Sequence, residues 1–188
     1  MHVFVRNAPL DLTPQIEPEP SDRRGPPLSQ GFLLTLITMV AADSCSEETL
    51  DVLSHVDADR WYLGQALESV LDEMEHRSPG GAFRMGRSVY FMLPSKLREI
   101  GVVDAASFFR TLPSLWHIVT RGDSGEFRAE MTGDKAAQVE MIQPYNCAFE
   151  EGAILGFLEG LGYTQVTTQH SRCMRNGHPS CVLAVAWK

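Results

Sequence analysis

Three of the chain's four cysteines lie in the last quarter of the sequence, with a histidine among them at a spacing that suits one metal ion. Cys147, His170, Cys173 and Cys181 follow the order Cys-x22-His-x2-Cys-x7-Cys. Three thiolates and an imidazole complete the tetrahedral shell of zinc, so no coordination position is left for an activated water. The pattern therefore predicts a structural Zn²⁺ rather than a catalytic one.

The sequence around these residues favours their convergence. Cys147 stands at the start of an apolar helical stretch, where the helix dipole favours its thiolate. An Asn-Gly pair at 176–177 predicts a hairpin turn that would bring Cys173 and Cys181 together. Because His170 lies three residues before Cys173, the two would face opposite sides of a regular strand. We therefore expect a bulge, or the end of a strand, near residue 171.

Alternatives to this site stay open. Cys173 and Cys181 could form a disulfide, although no signal peptide is recognised and a cytosolic protein keeps such thiols reduced. The cysteines could also be small buried apolar residues, with His170 on the surface. The competitors for the fourth ligand position are His178, Glu150 and Glu151.

The stretch from Tyr145 to Trp187 resembles the C-terminal half of a 4-vinyl reductase domain. The resemblance is carried by Cys147, by Glu-Gly at 151–152, by Gly-Phe-Leu-Glu-Gly-Leu-Gly-Tyr at 156–163 and by the 173–181 loop. Its motif is most similar to the zinc-containing sensory domains of phenol-responsive bacterial activators, which have glutamate in the place of His170. It is more distantly similar to subunits of vesicle-tethering complexes.

Composition and length indicate one folded domain. The 188 residues are 44% hydrophobic, enough to bury a sizeable core. We predict a flexible, proline-rich arm at residues 1–28 and a single ligand-binding domain at 29–188. The net charge of −8 disfavours direct nucleic-acid binding. The longest apolar run, 31–42, is too short to span a membrane, so we expect a cytoplasmic protein.

The pattern of apolar residues predicts an α+β fold, with a helical N-terminal half and one antiparallel sheet of about four to five strands covered by helices. Ser46 and Asp57 are predicted helix starts, and Pro94 should open another helix. The stretches with helical spacing are 32–40, 61–74, 83–93, 103–119 and 148–161. The strand-like stretches are 126–131, 139–142, 164–169 and 182–187.

Three glycines, at 152, 156 and 160, repeat every four residues on one helix face. Glycine costs a helix about 1 kcal/mol relative to alanine, so the repeat predicts that a second backbone or a ligand approaches this face closely. The resemblance favours packing on the sheet or on a partner subunit. A homodimer is the expected assembly.

A sheet covered by helices can enclose an apolar cavity, and such cavities usually bind small hydrophobic or aromatic ligands. Phe157 is the first candidate, because the resemblance places it on the pocket wall. The adjacent Trp116 and His117 would supply polar contacts. The full set of predicted ligand-binding residues is Phe157, Trp116, His117, Phe127, Ile154 and Tyr90.

These observations favour a zinc-stabilised sensory domain that binds a small molecule and signals to an unknown protein effector. The alternative is an interaction scaffold of the tethering-subunit type, with no ligand. Enzymatic activity is not expected, because nucleotide-binding and nucleophile-elbow motifs do not occur in the sequence. A haem-based gas sensor, a class distantly similar in fold, would need an axial histidine and usually a Tyr-x-Ser-x-Arg motif. That motif does not occur either.

Overall fold

The chain before residue 120 is mainly helical, as its apolar spacing predicts. The structure is a computed structural model that describes residues 2–41 and 43–188. The helices are α1 (Gly31–Val40), α2 (Glu47–Ser54), α3 (Gly64–Arg77), α4 (Gly81–Phe91), α5 (Pro94–Arg98), α6 (Ala105–Val119) and α7 (Cys147–Gly160). Within the described ranges, no helix is both long and apolar enough to cross a membrane.

The strands form two antiparallel sheets. They are β1 (Leu28–Gln30), β2 (Trp61–Leu63), β3 (Thr120–Arg121), β4 (Glu126–Gly133), β5 (Ala136–Ile142), β6 (Thr167–Arg172) and β7 (Cys181–Ala186). The larger sheet has the order β4-β5-β7-β6, and the smaller has the order β2-β1-β3. The predicted α+β class, with an antiparallel sheet and a helical N-terminal half, is confirmed.

The smaller sheet has no counterpart in the sequence prediction. Its strands are only two or three residues long, too short for polar and apolar residues to alternate visibly. Residues 61–63 were expected to open a helix that starts at Asp57, but Trp61 and Leu63 instead pair with β1. Helix α3 begins only at Gly64. Pairing with a distant strand overrides the local helical spacing here, and aromatic side chains suit a strand.

Other helix starts agree with the sequence. The Ser46 hydroxyl accepts a hydrogen bond from the backbone N–H of Thr49 at 3.2 Å, so it caps α2. Helix α5 begins on Pro94, which fits a first turn because no N–H is needed there. Helix α6 is capped by Asp104 and continues through Pro113.

The glycine face of α7 packs directly on α4. A Cβ added at Gly152, Gly156 or Gly160 would stand 2.9, 2.7 or 3.1 Å from a backbone carbonyl carbon of α4, and closer still to the attached oxygen. A Cβ does not fit so close to backbone atoms, so only glycine allows this approach. The predicted close contact is therefore confirmed. A second helix of the same chain makes it, rather than a ligand, and the expectation that this face packs on the sheet or on a partner subunit is wrong.

The N-terminal segment lies along the domain in this structure. Val5 exchanges two hydrogen bonds with the Gln65 side chain, at 2.8 and 2.9 Å. Arg6 forms an ion pair with the buried carboxylate of Asp72 on α3. The flexibility assigned to residues 1–28 stays a prediction, and Met1 lies outside the described residues.

Candidate metal and ligand sites

The N-terminus of α7 and the adjacent end of the β6–β7 hairpin bring four donor side chains together. One donor atom from each of Cys147, His170, Cys173 and Cys181 lies within 4.8 Å of the others. The sulfurs of Cys147 and Cys173 are 3.4 Å apart. Donors placed about 2.3 Å from one tetrahedral centre are about 3.8 Å from each other, so the cluster has the size of a metal site.

The hairpin geometry explains this convergence. The β6–β7 register shifts between His170 and Arg172, which confirms the expected bulge at residue 171. A single 3-10 turn, Met174–Asn176, and Gly177 at φ +85° then close the loop. All four cysteines of the chain are free, so the alternative of a disulfide across the loop is wrong.

A carboxylate orients His170 toward the sulfurs. The Nδ1 atom of His170 lies 3.4 Å from the Glu151 carboxylate, which also accepts a hydrogen bond from Thr168 at 2.6 Å. The other ring nitrogen, Nε2, is buried and has no hydrogen-bond partner within the described part of the chain. A histidine with one nitrogen on a carboxylate and the other free is typical of a metal ligand.

The three competitors for the fourth ligand position lie elsewhere. Glu151 stands behind His170, Glu150 lines a separate cavity, and His178 is exposed. His170 is therefore the fourth member of the donor group. The role of these four residues as ligands of one metal ion stays a prediction.

The sulfurs of the cluster shift one another's pKa. The neighbouring Cys147 thiol lowers the pKa of Cys181 to about 5. The Met174 backbone N–H donates to the Cys181 sulfur at 3.3 Å. Interaction with Cys181, and then burial, raises the pKa of Cys147. The thiolate that the helix dipole predicts at Cys147 stays a prediction.

A separate, mainly apolar cavity of about 310 Å³ lies between α1, α4, α5, α6, α7 and β4. Four of the six predicted ligand-binding residues line it: Tyr90, Trp116, Phe127 and Ile154. The Trp116 indole stacks on the Phe127 ring with centroids 4.5 Å apart, so these two side chains form one flat wall.

The other two predicted ligand-binding residues stand outside the cavity lining. Phe157 is fully buried behind the wall, because its ring stacks on that of Phe108 with centroids 4.2 Å apart. His117 lines a different depression beside Arg23 and Glu126. Trp116 and His117 therefore face two different surfaces and do not both line the cavity, since consecutive residues of a helix point in different directions. Ligand contact by Phe157 or His117 stays a prediction.

Sequence reasoning considered Glu150 only as a metal ligand and did not place it in the cavity. Its carboxyl group lines the cavity, is 5% exposed, and forms no hydrogen bond with any described residue. Burial, with a smaller contribution from the charge of Glu68, raises its pKa to about 8. The available sequence signal was a carboxylate on the same helix face as Ala153 and Ile154, both of which line the cavity.

The fold built by these elements is that of H-NOX (haem-nitric oxide/oxygen binding) domains. A crystal structure of an H-NOX protein from S. oneidensis in the Fe(II)NO ligation state is 14% identical, with a TM-score of 0.67, over 85% of this chain and 99% of that one. An NMR structure of an H-NOX domain from Shewanella oneidensis in the Fe(II)CO state is 15% identical, with a TM-score of 0.64, over 85% and 98%.

A mutant H-NOX protein from K. algicida in the Fe(II) unliganded state is 9% identical. Its TM-score is 0.62, over 85% of this chain and 96% of that one. No protein-family model matches the sequence, and the search of curated proteins finds no match. Identity at this level shows the shared fold alone.

The predicted kinship with 4-vinyl reductase domains and phenol-responsive zinc sensors is wrong. The solved structures described above are H-NOX domains, and they match over 85% of the chain, whereas the specific motifs of the predicted resemblance occupy only the last forty or so residues. The prediction of structural Zn²⁺ as the cofactor is wrong for the same reason, because the matching proteins are iron proteins and point to haem. A short cysteine and glycine pattern does not determine the arrangement of the whole chain.

The described residues of this cavity do not fit haem. Protein ligands of haem iron are histidine, cysteine, methionine or tyrosine, and of these only Tyr90 lines the cavity among the residues described. Burial, and then the charge of Glu150, raises the pKa of its phenol, which disfavours the phenolate that iron would bind. The described lining also contains no arginine for the propionates; its one cationic side chain is Lys96.

Proposed function

We propose that this chain is a non-enzymatic sensory domain that binds a small, mainly apolar molecule in its central cavity and passes the signal to a partner protein. One observation carries the proposal. A fold shared with H-NOX proteins encloses an apolar cavity of about 310 Å³ whose described lining lacks a suitable haem ligand. Ligand pockets usually measure about 300 to 1,000 Å³, so this volume suits a small organic molecule.

The position of the cavity supports a sensory role. Its lining comes from five helices and from β4, which belong to parts of the chain far apart in sequence. A ligand in the cavity contacts these helices and β4 at the same time. If it binds one arrangement of them more tightly than another, its binding shifts the protein toward that arrangement, as a sensor requires.

The main competing function is a scaffold for protein interaction that has no ligand. Both functions share the fold, and they differ in whether the cavity admits a molecule. Xenon is a suitable probe, because dry apolar cavities bind it without any specific contact. We expect xenon to shift the NMR resonances of methyl groups that line the cavity, such as those of Leu112 and Ile154.

A filled cavity provides the matched control. Ala153 lines the cavity from α7, so Ala153→Phe places a ring in the empty volume, whereas Ala153→Ser leaves that volume open. Xenon shifts should disappear in the first variant and persist in the second. Unchanged methyl resonances in the natural protein would favour the scaffold. A Soret absorption band after incubation with haem would contradict our exclusion of that cofactor.

We also propose that Cys147, His170, Cys173 and Cys181 bind one metal ion together. Support comes from the 4.8 Å limit on their donor separations and from the orientation of His170 by Glu151. This second site is distinct from the cavity, although α7 contributes to both.

A further inference from the structure

The cavity contains polar groups that have no partner in the protein. The indole nitrogen of Trp116 is buried, and no acceptor for its N–H is found among the described residues. Trp116 is only 6% exposed and Glu150 only 5%. The Tyr90 hydroxyl, also in the lining, makes no hydrogen bond within the described ranges. Burial of the Trp116 N–H without a partner is unfavourable, because burial removes the water that would satisfy it. The Tyr90 hydroxyl and the Glu150 carboxyl are likewise without a partner in the described part of the protein, and the other polar side chains of the lining are Gln30 and Lys96.

The three groups share one chemical character. The indole N–H only donates, and the tyrosine O–H is a donor as well as an acceptor. Glu150 retains its proton near neutral pH, because burial raises its pKa to about 8, so it too presents an O–H. These three groups are therefore mainly donors, while the amide of Gln30, which also lines the cavity, is both a donor and an acceptor.

We infer, on the basis of the proposed function, that the cavity ligand is a small neutral molecule with an apolar body and a hydrogen-bond-accepting oxygen, such as the carbonyl of a ketone or an aldehyde. The candidate donors to this oxygen are Tyr90, Trp116 and Glu150, and the expected net gain is about one hydrogen bond. The stacked Trp116 and Phe127 rings form a flat wall for the apolar body.

Charged ligands match this lining less well. A carboxylate would meet the carboxyl group of Glu150 in a cavity where only Lys96, an exposed residue, offers a positive charge. An ammonium group brings three donors and needs several acceptors, of which the described lining offers few beyond the Gln30 amide oxygen. A neutral carbonyl needs neither a counter-charge nor an additional acceptor.

Two probes of the same shape, one with a carbonyl oxygen and one without, test whether the ligand needs an acceptor. Acetophenone and α-methylstyrene differ in that a carbonyl oxygen replaces a methylene group, and 1-phenylethylamine supplies the cationic comparison. We expect acetophenone to bind about tenfold more tightly than α-methylstyrene, which corresponds to about one net hydrogen bond, in calorimetric titrations of the full chain. 1-Phenylethylamine should bind least tightly of the three.

Substitutions of Tyr90, Trp116 and Glu150 test whether their donors cause the preference for acetophenone over α-methylstyrene. Tyr90→Phe and Trp116→Phe each keep a ring and remove a donor, so each should reduce the tenfold ratio. Glu150→Gln keeps a donor and should retain the ratio, while Glu150→Leu should lower it. Tyr163→Phe, outside the cavity lining, is the control and should leave the ratio unchanged.

The possible results distinguish this inference from the proposed function. Equal affinities for acetophenone and α-methylstyrene, with xenon still entering, would overturn the acceptor requirement while the cavity function stands. Tightest binding of the amine would overturn the ligand class. Failure of all three probes in a protein that admits xenon would overturn the inference as well. If xenon does not enter the cavity, the proposed ligand-binding function is wrong, and the inference about the ligand fails with it.

Discussion

The backbone carbonyl carbon of Arg87 lies 2.7 Å from the point where a Cβ of residue 156 would stand, and only Gly156 makes this contact possible. Helices α4 and α7 therefore approach until their backbones touch along the glycine face. The close packing fixes α7, which supplies residues to both candidate sites.

Gly156→Ala should lower the free energy of unfolding by about 2 kcal/mol. Alanine gains about 1 kcal/mol of intrinsic helix propensity, but the overlap with the Arg87 backbone forces the helices apart at a larger cost. Urea denaturation measures the difference. Gly133→Ala is the control, because its Cβ would meet only the Cβ of Ala136, at 3.9 Å. Equal stability of the two variants would contradict close backbone packing as the cause.

The buried Glu150 should make stability depend on pH. In the folded protein its pKa is about 8, whereas the ordinary value is 4.5. Between these values the folded state retains a proton that the unfolded chain has lost, so the free energy of unfolding falls as the pH rises. The charge of Glu68 and the buried hydroxyls of Tyr90 and Tyr145 lie in the same electrostatic environment.

Glu150→Gln removes this contribution and keeps the shape of the side chain. From pH 5 to pH 9 the natural protein should lose a few kcal/mol of unfolding free energy that the variant keeps, because each pKa unit corresponds to about 1.36 kcal/mol. Urea titrations of both proteins at the two pH values provide the comparison. Parallel pH profiles would show that Glu150 already ionises normally in the folded protein.

The four-residue donor cluster should hold one metal ion per chain. Elemental analysis of the freshly purified protein should find one equivalent, which Cys173→Ala should lose, since it removes one of the donors. Cys45→Ala is a matched control, because Cys45 is a free buried cysteine outside the cluster and burial raises its pKa to about 12. A metal content that is the same in both variants would exclude the cluster as the binding site.

Glu151 should strengthen metal binding through His170. Replacing it by glutamine removes the charge that holds the imidazole, so the metal affinity should fall about 10- to 100-fold. Competition with a chelator of known affinity measures the change. Glu159→Gln provides the comparison on the same helix, because Glu159 pairs with Arg87 at 2.7 Å and is not one of the cluster's donors. Equal chelator competition in both variants would argue against this role of Glu151.

Local features of the fold could be read from the sequence. The Ser46 cap, the Pro94 helix start and the bulge after His170 depend on a few neighbouring residues, and all three are present. The spacing of the glycines on α7 likewise required a close neighbour, which is the backbone of α4. These features follow from steric fit and from hydrogen bonding within one or two elements.

Features that depend on distant pairing could not be read in this way. The strand at Trp61 exists because Leu28 and its neighbours pair with it, and the sequence around Trp61 contains no sign of that partner. The environment of Glu150 is set by several helices that only the fold brings together. The family resemblance was wrong for a related reason, since its specific motifs occupy only about forty residues and do not determine the arrangement of the other elements.

Helix α7 begins among the sulfurs and continues along the wall of the cavity. Its first residue is Cys147, and Glu150 lies less than one turn further on. The two candidate sites therefore share one helix, and a substitution that moves α7 away from α4 should disturb both of them.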